Sequence, residues 1–67
     1  MKRFFFNLQG AQNTTDPVGL LYDSDKNAFR AAQRLARDLS QLRPHLHGNT
    51  CVVITREDAD DLYSVSV

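Results

Sequence analysis

The sequence predicts an α+β fold in which one helix packs across a small antiparallel sheet, in the order β-β-α-β-β. Three observations lead there. Residues 24–42 carry one apolar stripe on a helical period. The flanking segments are short and alternate apolar with polar side chains, the period-2 signature of a strand. Every Pro and Gly falls between these segments, and none falls inside residues 24–42.

Residues 3–9 read as the first strand. Phe4, Phe6 and Leu8 alternate with Arg3, Phe5, Asn7 and Gln9, and the first set is expected to face the helix. Residues 10–13 are small and polar and read as a turn. Residues 14–16 are expected to return as a short strand beside the first. Pro17 and Gly19 then bracket a turn. Leu20, Leu21 and Tyr22 lead into the helix, where one or two of them should tuck beneath it as a hydrophobic staple does.

The helix is the most strongly patterned element. Ala28, Ala32, Leu35, Leu39 and Leu42 follow steps of four and three residues, flanked by Phe29, Ala31 and Ala36. Its interior holds no Gly, Pro or β-branched residue. Asp23 or Ser24 can cap the first turn, and Pro44 forbids continuation. A helix of about five turns, roughly 28 Å long, follows. The Ala residues near its start would let a sheet approach closely.

Residues 44–49 read as a polar loop. Residues 50–55 are rich in Val and Ile and read as a strand that is apolar on both faces: Val52 and Ile54 on one, Cys51 and Val53 on the other. Residues 56–60 are expected to form a charged hairpin turn, and residues 62–67 the last strand. Phe5, Cys51 and Val53 would then share the sheet face away from the helix, the surface a two-fold homodimer would cover.

The 67 residues suffice for a single domain, residues 1–67. So short a chain buries only about 60% of its unfolded surface. One cysteine, Cys51, excludes an internal disulfide, as suits a reducing compartment. The apolar run after Lys2-Arg3 ends at Asn7, too early for a signal peptide. No run approaches the roughly 20 apolar residues that span a bilayer. A soluble, cytoplasmic chain without a membrane partner is expected.

Net charge is zero, but its layout is uneven. Residues 24–43 hold five cations against two anions, a surplus of three positive charges. Residues 44–67 hold Arg56 against Glu57, Asp58, Asp60 and Asp61, a surplus of three negative charges. Lys26, Arg30, Arg34 and Arg37 recur at steps of four, four and three along one helix side. Such a column can meet phosphates or form a partner surface, or simply be a solvated face with an Arg34–Asp38 cross-turn pair. No aromatic residue interleaves with it to stack on bases.

Two further groups carry possible chemistry. His45, His47 and Cys51 bring three potential zinc ligands within seven residues, one short of a structural site. The same residues lack an orienting group for a nucleophile and base, and Cys51 fits equally as a small packed side chain. The run Glu57-Asp58-Ala59-Asp60-Asp61 lacks the spacing and the central Gly of a calcium loop. The single Gly of residues 16–19 is not a phosphate-binding pattern. No catalytic residue and no cofactor are expected.

Arg3-Phe4-Phe5-Phe6, the Asp16-Pro17-Val18-Gly19 turn, Asp23 before Ala28, Ala31 and Ala32, and Val52, Ile54, Leu62, Val65 and Val67 form a familiar pattern. The chain resembles a small family of the domain-of-unknown-function kind, seen mainly in alphaproteobacteria. The resemblance implies the fold and a bacterial, cytoplasmic setting, but no activity. The functional expectation is a small non-catalytic protein-binding or regulatory module, with itself or another protein as partner. The alternatives are a weak nucleic-acid binder using the basic helix face and a metal-binding protein using the His-x-His loop.

Overall fold

The structure, a computed structural model, describes the backbone of residues 1–67 and the side chains of all but Asp60 and Asp61. Strand β1 (Lys2–Gly10) is followed by β2 (Leu20–Tyr22), helix α1 (Asp25–Leu42), a 3-10 turn (Pro44–Leu46), β3 (Thr50–Arg56) and β4 (Ala59–Ser66). The strands form one antiparallel sheet in the order β2-β1-β3-β4. This is the expected α+β fold, β-β-α-β-β. The helix carries the chain from edge strand β2 across to the central strand β3.

Alternation decides the sheet's faces. Phe4, Phe6 and Leu8 of β1 lie on the helix side with Val52 and Ile54 of β3, and Phe4, Val52 and Ile54 are fully buried there. From above, Ala28, Ala32 and Ala36 supply the helix contact, none of them more than 2% exposed. The buried spine is therefore a four-residue repeat of Ala, with Phe29, Leu35 and Leu39 packed at its sides. Small side chains set at i, i+4 and i+8 let the helix backbone settle close to the sheet, which leaves the Leu residues to fill the flanks. Leu42, expected in the stripe, is 79% exposed because the sheet does not reach beneath the last turn.

The helix ends follow the capping rules. The Ser24 hydroxyl accepts the Asn27 N–H at 3.1 Å, and the Asp23 carboxylate accepts the Asn27 side-chain amide. At the far end the Arg43 N–H donates to Leu39 O, and Pro44 opens the 3-10 turn.

Four expectations need correction. Residues 14–16 form no strand: only Thr14 bridges to Leu8, and the Asp16 side chain takes the β1 N–H of Phe6. The strand beside β1 is Leu20–Tyr22, not a mere lead-in to the helix. Tyr22 still reaches the core, meeting Phe4 and Phe6 edge-on at 6.0 and 5.9 Å, whereas Leu20 and Leu21 stay exposed. The polar loop of residues 44–49 hides a core residue, Leu46, at 1% exposure, turned inward by the 3-10 turn. The last hairpin turn is only Glu57-Asp58, and β4 starts at Ala59 with two register shifts opposite Ile54–Arg56 that absorb the extra residues.

Candidate interaction surface

Lys26, Arg30, Arg34 and Arg37 all lie exposed on α1, on the side away from its Ala spine. The Arg34–Asp38 cross-turn pair does not form. The ion pairs among the described residues are elsewhere: Lys2 with Asp58, and Arg56 with both Asp25 and Asp58. Asp38 projects along the solvent side with its neighbours, where holding two long exposed side chains together gains little.

Those ion pairs lie around the N-terminal turn of the helix. Arg56 leaves the end of β3 and grips both oxygens of Asp25 at 2.9 and 2.8 Å, tying the first turn of the helix to the β3–β4 hairpin. Hydrogen bonds from Lys2 and Arg56 hold the Asp58 carboxyl down to about 2. Negative groups thus gather at the helix N-terminus, where the helix dipole favours them, and the cationic column starts in that same first turn, at Lys26. Of the acidic run of residues 57–61, the side chains of Asp60 and Asp61 lie outside the described residues.

The outer sheet face carries Phe5, Cys51 and Val53, as alternation required. Register places Phe5 opposite Thr55, Asn7 opposite Val53 and Gln9 opposite Cys51. Phe5 and Cys51 are half-buried, and Val53 is only 6% exposed within the single chain. A shallow cavity of about 300 Å³ lies beside Val53, Leu62 and Ser64.

The described side chains around the His-x-His loop engage other partners. Among the described residues no three His, Cys, Asp or Glu side chains gather into a group able to hold an ion. His47 Nδ1 lies 3.0 Å from the Ser40 hydroxyl, and the Asn49 amide takes the His45 carbonyl. Cys51 has moved into the sheet, on the face away from the helix.

Sequence reading missed the density of bonding at Asp16. Its carboxylate accepts the N–H groups of Phe6, Val18 and Gly19, while its own N–H donates to the Asn7 side chain. Burial pushes the Asp16 carboxyl up, but the Gly19, Phe6 and Val18 donors outweigh it and hold the group below its ordinary value. The Arg3 guanidinium donates to Val18 O. Gly19 has φ +75°, and a Cβ there would sit 2.6 Å from Phe4 O. The only advance signal was an Asp ahead of Pro and Gly, the mark of a side-chain-bonded turn.

The class is therefore that of a small α+β protein, a four-stranded antiparallel sheet roofed by one helix, whose most prominent exposed feature is a cationic helix face. More particularly, the chain belongs to the family described as a domain of unknown function (DUF6894), whose model matches residues 3–67. No curated protein and no solved structure matches it. The structure explains several residues that carry the family resemblance. Arg3, Asp16, Val18 and Gly19 form one bonded unit that fastens the β1–β2 connection, and Ala28 and Ala32 form the helix–sheet contact. Among the described residues, no helix is long and apolar enough to cross a membrane.

Proposed function

We propose that the chain is a non-catalytic protein-binding module whose recognition surface is the cationic side of α1, and whose partner presents an acidic surface. The observation that carries this reading is the exposed column Lys26, Arg30, Arg34 and Arg37, held on one helix side and outside the ion pairs among the described residues. Complementary charge steers encounter and selects among partners more than it sets affinity. The column has no aromatic side chain among its cations, which favours a protein over a single-stranded nucleic acid. A bacterial, cytoplasmic setting and a regulatory role go with this reading.

The test compares the unaltered chain with an Arg30→Glu/Arg34→Glu variant as baits in extracts of the native cell. We expect a protein that the unaltered chain retains at low salt, survives nuclease treatment and is lost by the variant. Identical retention by both baits would sink the reading. Retardation of RNA or DNA by the unaltered chain alone would transfer the surface to nucleic acid.

A further inference from the structure

We propose that two copies of the chain pair edge to edge through β4, forming one continuous eight-stranded sheet. This interaction surface is distinct from the cationic-face reading: it uses the sheet's rim and, of the cationic column, reaches only Arg37. The two edges of the sheet differ. On one side β2 is three residues long and enters from Pro17 and Gly19, so it offers little to a pairing strand. On the other side β4 runs for eight residues. Its register shifts fall in its first half, opposite Ile54–Arg56. From Tyr63 onward the ladder with β3 is regular, and residues 63–67 contain no charge and no Pro. Bulges and charges that protect an edge are confined to one half of the strand.

The bonding phase defines what the regular half presents. Val67 donates its N–H to Thr50 O at 2.9 Å, so it bonds inward to β3. Antiparallel alternation then turns Val65 and Tyr63 inward, and directs the N–H and C=O groups of Ser64 and Ser66 outward. A two-fold axis at Val65 sets each Ser64 opposite the partner's Ser66, with both residues exchanging their outward bonds. It uses residues 63–67 and leaves out the bulged half.

That register also fills space. On the helix side, Tyr63 falls opposite the partner's Val67. There an open groove of about 480 Å³ runs between α1 and the β4 edge, lined by Gln33, Ala36, Arg37, Val65 and Val67. Tyr63 is 40% exposed in the single chain and leans on Phe29 at 4.9 Å. Its ring suits a groove with an apolar floor and polar rim. The outer face offers less, since Val53 is already covered within one chain.

The experiment is sedimentation and light scattering over a dilution series. The unaltered chain should show the mass of two copies, falling to one on dilution. A Ser64→Lys/Ser66→Lys variant should be monomeric, because the register sets like charges directly opposite. Both serines are exposed, so its circular dichroism should match the unaltered chain, and Ser64→Thr/Ser66→Thr should still dimerise. A reading without variants comes from amide exchange. The Ser64 and Ser66 N–H groups should be protected in the dimer and lose protection on dilution. A monomer at every concentration would overturn the proposal. So would a dimer whose Ser64 and Ser66 amides exchange freely, or one that survives the double Lys variant and yields only to Phe5→Lys. None of these outcomes bears on whether Arg30 and Arg34 bind an acidic protein.

Discussion

Asp16 is the side chain whose removal should be most informative. It accepts three backbone N–H groups and is only partly exposed. Asp16→Ala leaves those donors with water at best, and a loss of about 1–3 kcal/mol in urea unfolding at neutral pH is expected. The carboxyl is held below its ordinary value in the folded chain. The unfolded chain therefore binds more protons in acid, and stability rises with pH through that window. The contribution is complete above the unfolded value of about 4 and fades as pH falls through the folded one. Asp58 acts in the same direction, down to about 2. Urea midpoints measured from neutral pH to strong acid should fall below about pH 4, and Asp16→Asn should flatten that fall. A midpoint in Asp16→Asn with unchanged acid sensitivity would show that the turn bonds do not survive in solution.

At the scale of elements, what was legible depended on how many residues repeated a pattern. Helix α1 was legible to within a residue because 18 residues share one period and both ends carry caps. The cationic column was legible with it, since helical spacing alone decides which side chains share a side. Strand β2 was not, because three residues are too few to display alternation, and Leu20 and Leu21 remain exposed despite being apolar. Leu46 was hidden by its neighbours: both His residues beside it are exposed, and a 3-10 turn has no stripe to betray its buried side. The contrast between Leu46 and Leu42 measures this directly. Leu46→Ala should cost about 2–5 kcal/mol, because the cluster it joins can collapse only in part. Leu42→Ala should stay within about 0.5 kcal/mol of the unaltered chain. Chemical unfolding of the two variants side by side tests the assignment, and equal losses would contradict the burial of Leu46.

Across the whole molecule, the cationic column carries a cost that its own fold does not recover. Lys26, Arg30 and Arg34 follow one another at i, i+4, and Arg37 stands three residues beyond Arg34. Like charges at such spacings destabilise a helix by about 0.2–0.5 kcal/mol per pair. Among the described residues, none of the four joins the ion pairs, which are drawn to the acidic hairpin end instead. Replacing Arg30 and Arg34 by Gln removes every like-charged contact in the column while keeping strong helix formers. We expect the variant to be more stable by a few tenths of a kcal/mol per contact removed, about 0.5–1.5 kcal/mol in all, in urea unfolding at low salt. The gain should shrink as salt screens the repulsion in the unaltered chain. A residue pattern that weakens the fold leaves room for a role other than stability. A variant that gains stability while losing its acidic partner would separate the two roles of α1, with the Ala spine holding the sheet and the cations facing another molecule. A variant that loses stability would instead make the column part of the fold, and the case for a binding surface on the helix would lose its physical basis.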